Sequence, residues 1–200
     1  IPDEHKVDIL VVSAFPNDYV PTDTSLIGAL YNKGLSVENL SYFKEIDIRK
    51  YSYCWLSQEL EYPNIKRILC FEPIERNNPY SLIAGIFQSL MFIAKTHSIK
   101  TLAMPLIMTG DQSYSNQLVV KELIETSLLW LENAPYDTIK IVERNDSKLQ
   151  LLKSAFENKI LTYKKSEDLS DYDFFISYSR KNAEEVNMIK GKLKSKFNIF

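Results

Sequence analysis

The stretch from Thr109 to Tyr114 places small, polar and aromatic residues (Thr109, Gly110, Asp111, Gln112, Ser113, Tyr114) between an apolar run, IKTLAMPLIM, and a helical pattern starting at Ser115 or Asn116. Gly110 permits close approach of backbone to a ligand, and exposed N–H groups beside a helix start cradle phosphate oxygens without any lysine. The chemistry this spacing allows is the holding of a diphosphate. Asp111 would repel phosphate unless its side chain turns to a ribose hydroxyl, to water or away. The same residues also make an ordinary strand-to-helix turn in which Gly110 serves only the turn and Tyr114 packs, and the segment is less than a complete Walker loop. No Cys–His or Ser–His constellation has a spacing that supports nucleophilic catalysis. His97, ending a long helical pattern, reads as a charge or cap partner. Tyr51, Tyr53 and Trp55 alternate, as in a stacking surface or the packed face of a sheet.

These residues need elements to position them. VDILVVSAF is almost continuously apolar and β-branched, the pattern of a central strand covered on both faces. TSLIGALYNKG predicts a short helix capped by Thr24 or Ser25 and stopped before Gly34. YSYCWLSQ and KRILCFEP read as strands. In PYSLIAGIFQSLMFIAKTH, Leu82, Ile83, Ile86, Phe87, Leu90, Met91 and Ala94 recur at three- and four-residue steps, an amphipathic helix opened by Pro79. A strand (IKTLAMPLIM), a helix over 116–132, a strand (TIKIVER) and a helix (DSKLQLLKSAF) follow. This alternation predicts a layered α/β domain over residues 1–157 with a mixed, largely parallel sheet. Residues 158–170 are polar and charged without a clear helical face, a candidate linker. A new strand-helix unit begins at residue 171, in DYDFFISYSR and KNAEEVNMIKGKLKSKF, too small to bury a core of its own.

With 45% hydrophobic and 25% charged residues the chain is globular rather than disordered. A net charge of -2, from 24 Lys and Arg against 26 Asp and Glu, gives no electrostatic reason to expect a nucleic acid or membrane-surface partner. Cys54 and Cys70, each within an apolar run, read as buried thiols in a reducing cytosol rather than a disulfide framework or zinc site, and no metal is expected. The expected location is cytoplasmic.

The segment AMPLIMTGDQSY resembles the Pro-x-x-Ser-Thr-Gly-x-x-Gly-Tyr segment of macro domains, with Thr109, Gly110 and Tyr114 matching. VDILVVSAF is similar to the strand that in that family ends in Asn-Ala-Ala-Asn, SLIGAL to its Gly-Ala helix start, and KRILCFEP to its next long strand. The resemblance covers about residues 6–157 and implies a three-layer α/β/α module that takes ADP-ribose or an NAD-like nucleotide. It places Ser13, Ala14, Phe15, Ser25 and Gly28 in the first ligand loops and residues 109–114 in the diphosphate loop. Ser13 stands where hydrolytic members have the first Asn, Ile27 precedes Gly28 where several have an acid, and Ser113 replaces a glycine. Those departures imply binding without catalysis; the alternative is a hydrolase of ADP-ribose derivatives.

DYDFFISYSRKNAEEV resembles the opening strand and first helical turn of TIR domains. The resemblance implies that Ser177, Ser179 and Arg180 lie near a nucleotide pocket, although capping by Ser179 and a solvated Arg180 fit equally. Together the two resemblances imply a nucleotide-sensing module joined to a TIR signalling or NAD-cleaving domain, as in bacterial antiphage proteins, with homo-oligomerisation through the TIR part. A scaffold for TIR assembly is a further alternative. The catalytic glutamate of NAD-cleaving TIR domains has no counterpart up to Phe200, so no NAD cleavage is expected of these 200 residues.

Overall fold

Seven consecutive residues without a charge except Asp8 make β1 (Val7–Ser13) a strand that tolerates burial on both faces, and all but Ser13 are buried. In this computed structural model residues 6–74, 78–109, 114–134 and 137–167 are described. The elements that follow β1 are α1 (Leu26–Tyr31), α2 (Val37–Ser41), β2 (Lys44–Asp47), α3 (Arg49–Ser52), β3 (Cys54–Ser57), β4 (Ile65–Phe71), α4 (Pro79–Thr96), β5 (Thr101–Pro105), α5 (Asn116–Asn133), β6 (Thr138–Val142) and α6 (Asp146–Glu167). The chain divides into two units, Ile1–Leu152 and Lys153–Phe200.

The first unit carries a six-stranded sheet in the order β2-β3-β4-β1-β5-β6. β4, β1, β5 and β6 run parallel, and β2 and β3 complete one side antiparallel. The expected mixed, largely parallel α/β architecture is therefore the observed one, with β1 central. Leu10 and Val12 of β1 share a core with Ile27 and Leu30 of α1, Val37 of α2, Trp55, Ile68 and Cys70. Strand alternation sends Ile9 and Val11 to the opposite face, the side of α4, whose buried Leu82, Ile83, Ile86, Phe87, Leu90 and Ile93 form one stripe and which packs along α5.

Local expectations hold where the pattern is long. α4 opens at Pro79 behind an Asn78 cap, α1 is capped by Ser25, and Gly34 lies at φ 84°, a left-handed conformation that suits glycine. Short elements differ. Tyr51 belongs to α3 and is 83% exposed, Tyr53 turns left-handed at φ 59°, and only Trp55 enters a strand, fully buried. The three aromatics therefore form no common face, because the backbone reverses between Tyr51 and Cys54. The short α2 and β2 have no counterpart in the sequence-based expectations. α6 continues through Glu167, so the stretch 158–167 expected as a linker is helical. Residues 168–200, including Ser177, Ser179 and Arg180, lie outside the described residues.

Candidate functional site

The chain leaves β1 toward α1 on one face and leaves β5, its hydrogen-bonded neighbour, toward α5 on the other. Where two connections diverge to opposite faces, open α/β sheets take ligands in the crevice at the carboxyl ends of the strands, so the connections after β1 and β5 are the walls of the candidate crevice. The first wall is the connection after β1. Ala14 extends the strand pairing, its N–H donating to the Phe71 carbonyl at 3.0 Å, and Phe15 is about half exposed. Phe15 to Asp18 then form a tight turn, closed by Asp18 N–H to Phe15 O at 3.0 Å. Pro16 fixes its second position, and Asn17 adopts φ 57° at its third, which asparagine tolerates better than most residues.

That turn is held by a buried acid, Glu72, the residue after β4 and only 2% exposed. Its carboxylate accepts hydrogen bonds from the Tyr19 hydroxyl, the Trp55 indole N–H, the Asn17 backbone N–H at 3.2 Å and the Arg49 guanidinium at 3.4 Å. Arg49 also donates to the Asn17 side-chain oxygen at 2.9 Å and pairs with Asp47 at 2.7 Å. Burial, followed by the hydrogen bond to the Glu72 carboxylate, pushes the Tyr19 hydroxyl well above its ordinary value, so it remains a donor. A cleft of about 510 Å3 opens beside this network, lined by Pro16, Asn17, Asp47, Arg49, Lys50 and Glu72 with Ile74. Sequence reasoning missed Asp47, Arg49 and Glu72. An acid closing a buried strand in KRILCFEP was the available signal.

Further along the same wall, Ser25 accepts from Gly28 N–H at 2.9 Å and donates to the Thr22 carbonyl at 3.0 Å. A Cβ on Gly28 would fall 1.9 Å from that carbonyl oxygen, so glycine is what lets the loop lie directly on α1. Ser25 and Gly28 thus shape the loop that Ser13, Ala14 and Phe15 begin.

The second wall follows β5. Leu106, Ile107 and Met108 turn inward and are buried, Met108 at φ 63°, and the Thr109 hydroxyl donates to the Leu106 carbonyl at 2.8 Å. Gly110, Asp111, Gln112 and Ser113 lie outside the described residues. Tyr114 is half-buried, and Ser115 occupies the N-cap position of α5 without a side-chain capping bond. A residue not anticipated from the sequence joins this wall: Lys148, in the first turn of α6, donates to the Thr109 carbonyl at 2.8 Å and to its hydroxyl oxygen at 3.2 Å. Arg144, just after β6, donates to the Thr24 carbonyl of the first wall at 2.7 Å.

Residues set aside in the sequence have structural roles. His97 ends α4, its ring 2.9 Å from the Glu45 carboxylate. Cys54 and Cys70 are free and buried, and burial pushes the Cys54 thiol up to about 12. Among the described residues no cluster of His, Cys, Asp and Glu is arranged to hold a metal ion, and no helix is long and apolar enough to cross a membrane.

Neither a protein-family model nor a curated protein matches the sequence. Solved structures do match the fold. A point mutant of the Oceanobacillus iheyensis macrodomain superposes with a TM-score of 0.63 at 15% identity, over 81% of this chain and 87% of that one. The chain has the macrodomain fold. The same Oceanobacillus macrodomain with ADP gives a TM-score of 0.62 at 14% identity, covering 81% of this chain and 90% of that one. The Trypanosoma brucei macrodomain in complex with ADP-ribose gives 0.59 at 12% identity, covering 74% of this chain and 63% of that one. Within this macrodomain fold the Glu72 network braces one wall of the crevice between the connections after β1 and β5.

Proposed function

We propose that the first unit binds ADP-ribose or a related NAD derivative in the crevice between the connections after β1 and β5, and binds it without turning it over. The observation that carries this reading is the start of α5. An 18-residue helix begins at the crevice, and its N-cap residue Ser115 makes no side-chain capping bond, so the N–H donors and dipole of its first turn suit the diphosphate of a nucleotide. The macrodomain fold of the unit, and the ADP and ADP-ribose in structures that share it, support the same ligand class. Ser13, Ala14 and Phe15 would line one side and residues 109–114 the other. Ser13 in place of an amide, with Ser25 occupied as a helix cap, supports binding over hydrolysis.

We further propose that residues 171–200 begin a TIR domain whose signalling or NAD cleavage responds to the bound nucleotide, as in antiphage defence, with assembly through the TIR part. The proposal rests on sequence resemblance in DYDFFISYSR. Ligand binding to the first unit would bias the second by its differential affinity for their states.

Calorimetric titration with ADP-ribose, NAD and cyclic ADP-ribose tests the binding reading. Saturable binding of at least one is expected, and absence of heat and of competition for all three would overturn it. Mass spectrometry after overnight incubation with an ADP-ribosylated protein should show unchanged substrate. Release of ADP-ribose that Ser13→Ala abolishes would establish a hydrolase instead.

A further inference from the structure

Several cations of the first unit are committed to carboxylates. Arg49 pairs with Asp47 and Glu72, Arg67 with Glu45 and Glu59, and Lys66 with Asp8. Lys148 and Arg144 differ. Their partners are neutral oxygens, on Thr109 for Lys148 and the Thr24 carbonyl for Arg144, and neither forms an ion pair among the described residues. A carbonyl fixes a cation in place without cancelling its charge. Each is also fixed to a different wall: Lys148 to the connection after β5, Arg144 to the loop that leads from β1 into α1.

The local sequence explains how Lys148 is set beside Thr109 and Arg144 beside Thr24. Glu143 accepts from the backbone N–H groups of Arg144 and Asn145, each at 2.8 Å, turning the chain sharply after β6. Asn145 then accepts from Lys148 N–H at 3.1 Å, starting α6 and setting Lys148 in its first turn. A positive charge is unfavourable beside the positive end of a helix. Asp146, in the same first turn, offsets part of the cost of placing Lys148 there, and an anion beside Thr109 would offset more of it.

We propose that Lys148, seconded by Arg144, is a specificity-determining residue that selects phosphate-bearing nucleotides: its ammonium meets the ligand's diphosphate at the Thr109 end of the crevice. This rests on the nucleotide-binding reading above and adds to it a side-chain charge where backbone donors alone would suffice for a weaker, less selective site. A charge-assisted contact is worth roughly twice a neutral one.

The experiment titrates ADP-ribose, ADP and uncharged adenosine into the full chain, its Lys148→Gln variant and its Lys148→Arg variant, at low and high salt. Gln can still donate to the Thr109 oxygens but has lost the charge. Lys148→Gln is expected to weaken ADP-ribose and ADP binding about tenfold or more, the scale of a charge-assisted hydrogen bond. It should also flatten the salt dependence and leave adenosine unchanged. Lys148→Arg should retain most of the affinity. If wild type binds ADP-ribose and Lys148→Gln binds it equally well, the inference fails while the nucleotide reading stands. If wild type binds none of the three, both fail. Equal loss for adenosine and ADP-ribose in a folded Lys148→Gln protein would make Lys148 a structural tie and also overturn the inference.

Discussion

Glu72 has both carboxylate oxygens engaged by four donors from three parts of the chain: Asn17 and Tyr19 in the connection after β1, Arg49 in α3 and Trp55 in β3. Truncation would leave a buried indole and a buried phenol without this acceptor, while Arg49 keeps Asp47 and the Asn17 side chain, and each orphaned donor costs the full desolvation of its group. Glu72→Ala is therefore expected to destabilise the first unit by about 3 kcal/mol or more, measured by urea unfolding, with Glu72→Gln intermediate. A loss below about 0.5 kcal/mol, the range of ordinary surface substitutions, would show that the network contributes nothing net. The sequence shows the acid but not its partners, which lie 17 to 55 positions away.

Among the elements, the amino ends of β1 and β5 are joined by Asp8. Its Oδ2 accepts from Lys100 N–H, Thr101 N–H and the Thr101 hydroxyl at 2.9 to 3.1 Å, and Oδ1 pairs with Lys66 at 2.6 Å. Burial by itself would raise this carboxyl; the Lys66 contact and the donors from Lys100 and Thr101 together outweigh it and hold the carboxyl below its ordinary value. A carboxyl lowered on folding contributes stability that is present above its unfolded value and lost as pH falls through its folded one. Stability should thus decline below about pH 4, the ordinary aspartate range. Asp8→Asn should lower stability at pH 7 and remove part of that acid-side decline, read from urea midpoints at pH 7 and at about pH 3. An unchanged difference between the two midpoints would refute the assignment. The strand itself was legible from VDILVVS; its register against Thr101 was not, because register depends on cross-strand partners rather than on local pattern.

For the whole molecule, a ligand that binds the folded first unit and not the unfolded chain stabilises it by mass action, about 2.7 kcal/mol at roughly one hundred times Kd. In a unit of this size that corresponds to a rise in Tm of about 5 to 10 °C. ADP-ribose is expected to produce such a shift and free ribose none. A melting curve indifferent to saturating ADP-ribose would count against the crevice as a nucleotide site. The shift should shrink in Lys148→Gln, linking this measurement to the charge at Thr109.

Features that repeat over many neighbouring residues were legible before any fold was known: the apolar run of β1, the buried stripe of α4 and the strand-helix alternation. They arise from local periodicity and from burial on one side or both, so they need no distant partner to declare themselves. The short α2, β2 and α3, whose few residues form no period, emerged only on folding, as did the separation of Tyr51 from Trp55 by a left-handed turn. The same holds for the closing of Glu72 on Asn17 and for the meeting of Lys148 with Thr109 across 39 positions. Those contacts are set by strand order and by the faces to which the connections diverge. A side chain's long-range partner is fixed only once the sheet has brought distant segments to the same edge.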